Sequence, residues 1–189
     1  MFTIGHSNHS IETFLEMLDS FAITCVADVR SAPYSRHNPQ FNRETLQRSL
    51  KGRGIAYVFL GKELGARTEQ DDCYIDGKVS FDRLSATELF RSGLARLREG
   101  DKSYTIALMC AEKEPLNCHR TILVARNLTA MGIEIEHILG PGEAEAHEDT
   151  VERLIDLVKL ERDDLFSSHD DLVELAFRLR EGEVAYTLE

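Results

Sequence analysis

The residues best equipped for chemistry lie in one short run, Met109-Cys110-Ala111-Glu112-Lys113-Glu114-Pro115-Leu116-Asn117-Cys118-His119-Arg120. A thiol attacks carbon or phosphorus, or binds a metal, only as the thiolate. An imidazole trades protons near neutral pH. A guanidinium offers a flat fork that matches a carboxylate or phosphate. Cys110 closes the apolar run 104–109, so its thiol is predicted where a buried strand opens to the rim. Cys118, His119 and Arg120 are predicted in the first turn of a helix capped by Asn117. Unpaired amides and the helix dipole there favour negative charge and lower a thiol pKa. On this reading Cys110 is nucleophile or wall, Glu112 and His119 move protons, and Cys118 and Arg120 hold an anion. Each residue also has a plain structural role: the cysteines as packing, Arg120 as a partner of Glu112 or Asp28.

Three other predicted strand ends carry reactive side chains. The first gives Gly5-His6-Ser7, the second Asp28-Val29-Arg30, the third Gly61-Lys62-Glu63. Asp28 is read as a general base or substrate orienter and His6 as a proton shuttle. Arg30 and Arg36 are read as anion clamps, with Ser7 and Lys62 as further substrate contacts. An acid closing an apolar strand needs a partner in any case, because a half-buried carboxylate is costly alone.

The elements that must bring these ends together follow from periodicity. Apolar runs at 2–5, 23–29, 55–60, 104–109 and 133–138 read as strands. Ser10 is placed to cap a helix with Ile11, Phe14, Leu15 and Leu18 inward. Leu46 and Leu50 mark a second helix, and Ser85-Ala86-Thr87-Glu88 has the form of a capping box ahead of a third. Val124, Ala125, Leu128 and Met131 form the stripe of a fourth. Strand alternating with helix predicts an α/β fold: a mainly parallel five-stranded sheet with helices on both faces. Ligands of such sheets bind at the carboxyl ends of the strands. Residues 61–80 have no clean period and are too long for an idle connector, which suggests a lid or binding loop. Gly140-Pro141-Gly142 breaks the chain, dividing a domain over 1–142 from an acidic helical extension over 143–189, with helices near 148–160 and 169–180. Their apolar stripes suit packing on the domain or against a second copy in a homodimer.

The net charge of −11 is unevenly placed. Residues 131–189 hold 17 acidic and 5 basic residues, whereas 28–67 hold 8 basic and 3 acidic. Global acidity argues against general duplex binding but leaves room for one small anionic ligand. No apolar run is long enough for a membrane span. Four cysteines in no disulfide-scaffold spacing, with no charged-then-apolar start, point to the cytoplasm.

Thr3-Ile4-Gly5-His6-Ser7, Asp28-Val29-Arg30 with Pro33, Ser35 and Pro39-Gln40-Phe41, Leu60-Gly61-Lys62-Glu63-Leu64-Gly65, and Met109-Cys110-Ala111-Glu112-Lys113 with Cys118-His119-Arg120 resemble a bacterial and archaeal family, the domain of unknown function numbered 488. The likeness spans residues 2–140. It implies where the site lies and no particular reaction. A weaker similarity to rhodanese-like domains rests on Asp28-Val29-Arg30 and the cysteine loop. That loop is too long for a tight anion cradle and carries Glu112 and Glu114, which disfavours sulfur transfer.

Beside rhodanese-like sulfur transfer, three functions remain open. The favoured one is a hydrolase or group transferase acting on a small anionic or nucleotide-like substrate. The second is a module binding a nucleotide or single-stranded nucleic acid through Arg30, Arg36, Arg43, Arg48 and Arg53 with Tyr34, Phe41 and Tyr57. The third is a zinc site of Cys110, Cys118 and His119, with His6. Adjacent helical residues point about 100° apart, so Cys118 and His119 are not expected to share an ion, and neither metal nor cofactor is predicted.

Overall fold

The computed structural model describes residues 1–162 and 168–188. In chain order the elements are β1 (Phe2–Gly5), α1 (Ile11–Ser20), β2 (Cys25–Asp28), α2 (Arg43–Lys51), β3 (Ala56–Phe59), α3 (Gly61–Leu64), β4 (Tyr74–Ile75), β5 (Lys78–Val79), α4 (Phe81–Ser85), α5 (Glu88–Gly100), β6 (Ile106–Cys110), α6 (Arg126–Ala130), β7 (Glu136–Gly140), β8 (Glu143–Ala146), α7 (His147–Leu157) and α8 (His169–Val184). A π-helical segment, Arg120–Ala125, runs directly into α6. No helix among the described residues is long and apolar enough to cross a membrane.

The central sheet has the order β3-β2-β6-β1-β7-β8. The strands from β3 to β7 pair in parallel. All residues of β2 and β6 are buried, as expected of strands covered on both faces. Side chains alternate between faces with a period of two, and the two apolar clusters follow that alternation. Ile4, Val26, Ala107 and Met109 face one cluster with Phe14, Phe41, Leu46 and Leu50 of the α1–α2 side. Cys25, Ala27, Ile106, Leu108 and Cys110 face the other, with Phe90 and Leu94 of α5, the π-helical segment, and Leu154, Ile155 and Phe177 of the last two helices.

The sheet has six strands rather than five. Gly140-Pro141-Gly142 is a hairpin turn, with Gly142 at φ 70°, and β8 returns antiparallel to β7. The sheet therefore continues across position 142. Glu143 and Glu145 place charge along this edge strand, which discourages pairing with another chain. The segment 61–80 holds α3 and the β4–β5 hairpin, turned by Asp76-Gly77 with both residues at positive φ. The backbone of Tyr186 and Leu188 bonds onto that hairpin at Val79 and Gly77. Ser10 caps α1 by accepting from the Thr13 amide. The cap of α5 is Thr87, two residues beyond the expected Ser85, which instead closes α4.

Candidate functional site

Register brings the carboxyl ends of three strands level. Gly5 of β1 lies opposite Cys110 of β6, and Asp28 of β2 opposite Met109. The ladder extends past β1: the His6 amide donates to Cys110 O at 2.9 Å and the Ser7 amide to Ala111 O at 2.8 Å. This draws the cysteine loop onto β1. Gly5 permits the approach, because a Cβ there would meet Glu112 O at 1.9 Å. Ser7 adopts φ 47°, held by its bonded amide.

The pleat then divides the candidates into two groups. Asp28 shares the face of Val26, and Cys110 the opposite face. On the first face, Arg30 grips Asp28 twice, from Nε at 2.9 Å and from its terminal nitrogen at 2.6 Å. The Tyr57 hydroxyl donates to the same carboxylate at 2.8 Å. Arg30 also donates to Phe41 O at 2.9 Å and meets His6 Nε2 at 3.1 Å. The His6 ring stacks on Phe41 with centroids 4.4 Å apart. Burial pushes the His6 pKa down to about 4, so it is neutral at physiological pH. Asp28 and Arg30 thus satisfy one another in the core. A free general base at Asp28 does not match this arrangement, since every neighbour of its carboxylate is a donor already bound.

On the second face, Cys110, Cys118 and His119 converge. These residues are 5%, 2% and 8% exposed. His119 Nδ1 lies 3.7 Å from Cys110 Sγ and 3.9 Å from Cys118 Sγ. His119 Nε2 lies 3.1 Å from Val29 O. A carbonyl only accepts, so Nε2 carries the hydrogen and Nδ1 turns a lone pair toward both sulfurs. The thiol donor ligand atoms and Nδ1 all fall within 4.8 Å of one another. The expectation that Cys118 and His119 point apart fails for a local reason. Cys118 is extended, at φ −137° and ψ 138°, and helical geometry starts only at His119. Asn117 is accordingly no cap; its side-chain oxygen accepts from Arg180 of α8. The Cys118 amide donates to Pro115 O at 3.2 Å and is not free for an anion.

The two sulfurs differ. Hydrogen bonding to Cys118, with burial, raises the Cys110 pKa well above its ordinary value. Burial opposes ionisation of Cys118, but hydrogen bonding from the Cys110 thiol and the charge of Arg120 outweigh it and hold Cys118 low. The two neighbouring sulfurs are therefore shifted in opposite directions, Cys110 up and Cys118 down.

Arg120 is the largest fully buried side chain. Its guanidinium donates to Glu112 O, to Lys113 O at 3.0 Å, and weakly to Thr3 Oγ1 at 3.4 Å. It fastens the loop backbone from below and does not face a ligand, contrary to the sequence expectation. Burying a cation is tolerable only with its donors satisfied, and the loop carbonyls supply that. Behind it Thr3 Oγ1 meets His137 Nδ1 at 2.7 Å, and His137 Nε2 meets His147 Nδ1 at 3.0 Å.

A cavity of about 280 Å³ opens over the sulfur side, lined by Arg30, Arg67, Glu112, Asn117, Tyr186 and the Cys110–Cys118–His119 floor, among others. No described residue hydrogen-bonds the Glu112 carboxylate. Arg67 rests on the Tyr186 ring, 4.4 Å from its centroid, and is exposed. Neither Arg67 nor Tyr186 stood out in the sequence; a lone cation inside the long 61–80 segment was the available signal. His6, Ser7, Asp28, Arg36, Lys62 and Arg120 are not among the lining residues. Lys62 lines a neighbouring opening that shares Ser31 and Arg67.

The profile of a family described as domain of unknown function DUF488 matches residues 10–127. The chain belongs to this family. The DUF488 match runs from the cap of α1 into the first residues of α6 and thus covers Cys110, Cys118, His119 and the loop between them. No curated protein and no solved structure matches the chain. The similarity to rhodanese-like domains finds no support in these comparisons. The aromatic and cationic strip considered for nucleic acid is also not assembled in this DUF488 protein. Phe41 is buried, Tyr57 is bound to Asp28, and Arg53 pairs with Asp19.

Proposed function

We propose that the cavity is the active site of a hydrolase or group transferase that acts on a small anionic or nucleotide-like substrate. One observation carries this reading. A cation with no carboxylate partner among the described residues (Arg67), a carboxylate with no donor among them (Glu112) and a pair of sulfurs with an aimed imidazole line the same small opening. A cavity that merely results from imperfect packing is lined by apolar side chains and needs none of these. Arg67, steadied on Tyr186, takes the negative group of the substrate. Arg30, neutralised by Asp28, forms part of the wall. Glu112 moves the proton. The reacting centre lies at the Cys110–Cys118–His119 floor.

The test is a panel of inorganic phosphate, nucleoside monophosphates and diphosphates, scored by thermal shift and calorimetry, followed by turnover of the species that bind. Arg67→Ala should abolish binding. Glu112→Gln should keep binding and lose turnover. If nothing on the panel binds, or both variants behave as the parent, the reading is wrong.

A further inference from the structure

We propose that Cys110, Cys118 and His119 hold one zinc ion, with a fourth coordination position open to the cavity. The donor set is two thiolates and an imidazole, the borderline-soft combination that zinc favours. The spacing is close to what the ion needs. For Zn–S of about 2.3 Å and Zn–N of about 2.0–2.1 Å, tetrahedral angles put sulfur about 3.6 Å from nitrogen. The two separations here are 3.7 and 3.9 Å. All three ligand atoms lie within 4.8 Å of one another.

The surroundings also suit a metal. His119 Nε2 is bound to Val29 O, which fixes the tautomer and aims Nδ1 at the sulfurs. A ligating histidine commonly has its other nitrogen tied to a carbonyl in this way. Two thiolates neutralise a divalent ion, so the buried group as a whole is uncharged. Cys110 ends β6, while Cys118 and His119 close the loop that Arg120 fastens through Glu112 O and Lys113 O, so both sides of the site are anchored. Three protein ligands and one open position is the pattern of a catalytic rather than a structural zinc site. What fills that position rests on the active-site reading above. Zinc held there would supply an activated water, and Glu112, which lines the same cavity, would take its proton. The binding of the ion itself does not rest on that reading.

The experiment uses the full chain, reduced, stripped with a chelator and titrated with zinc against a chromophoric competitor, and separately with cobalt. The expected result is one equivalent of zinc and a tetrahedral cobalt spectrum with thiolate charge-transfer absorption. Cys118→Ser and His119→Ala should lose that spectrum, while Cys25→Ser, at the opposite end of the sheet in the first position of β2, should keep it. Should either site variant fold poorly, alkylation of the parent supplies the second measurement: zinc should protect Cys110 and Cys118 and leave the other two cysteines unaffected. Absence of stoichiometric zinc, retention of the cobalt band in Cys118→Ser, or formation of a Cys110–Cys118 disulfide in place of metal uptake overturns the proposal. Zinc binding with no response on the anion panel removes the active-site reading and leaves the metal site standing. Anion binding without zinc does the reverse.

Discussion

Lowering the pH should destabilise this protein well before its carboxylates protonate, and the buried histidines set the size of the effect. His6 is stacked under Phe41 with its pKa at about 4, and His137 is enclosed beside His147 with its pKa at about 2. In both cases burial is the leading cause. The unfolded chain titrates them at the ordinary value of 6.5. Between these limits the unfolded state binds more protons than the folded state, so stability falls as the pH falls. The loss begins below 6.5, reaches full slope for both residues, and levels off for His6 near 4. At about pH 5 each histidine is some 1.5 units below its unfolded pKa, a cost of about 2 kcal/mol each and about 4 kcal/mol together. His147, also shifted down by burial, adds in the same direction. A domain of ordinary stability holds only about 5–15 kcal/mol. Urea denaturation at about pH 7.5 and about pH 5 measures the difference directly. His6→Gln should remove about half of the pH dependence attributable to the first two residues. A free energy of unfolding that is level across this interval would refute the assignment of these histidines as neutral buried groups.

Substitutions around the loop give three further expectations. Gly5→Ala forces a Cβ against Glu112 O and should cost about 1–3 kcal/mol or more in urea denaturation, with altered alkylation of Cys118. Asp28→Asn leaves the Arg30 charge buried without its counter-ion and should cost about 3–5 kcal/mol by the same measurement. Arg120→Met removes charge-assisted bonds worth about 1.5–3 kcal/mol apiece to the loop carbonyls, and mass-mapped alkylation should then show Cys110 and Cys118 modified faster relative to Cys25.

The sequence made the parallel core legible because β2 and β6 are unbroken apolar runs, and it located the rim because reactive side chains stand where those runs stop. It could not supply register. Asp28 and Cys110 both end strands, yet the pleat turns them to opposite faces, and only the pairing of Asp28 with Met109 shows it. Arg120 was read as an outward clamp because its position in a helix start was right, but the direction of a long side chain depends on where unpaired carbonyls lie. The sharing of one focus by Cys118 and His119 was hidden by a one-residue difference in where the helix begins. β8 was missed because Glu143-Ala144-Glu145-Ala146 has the composition of a solvated edge rather than of a core strand. The wall at Arg67 and Tyr186 joins residues far apart in sequence, which no local pattern announces.

That wall has a bearing on how the protein is made. Val184 and Tyr186 close the cavity over sulfurs that lie more than sixty residues earlier in the chain. During synthesis the sheet and the sulfur-bearing loop emerge first, and the segment that roofs them emerges afterwards. For that interval Cys110, Cys118 and His119 stand beside an unfinished enclosure, open to whatever metal or oxidant the surroundings hold. The order of synthesis therefore leaves these three side chains uncovered for an interval that the finished fold ends.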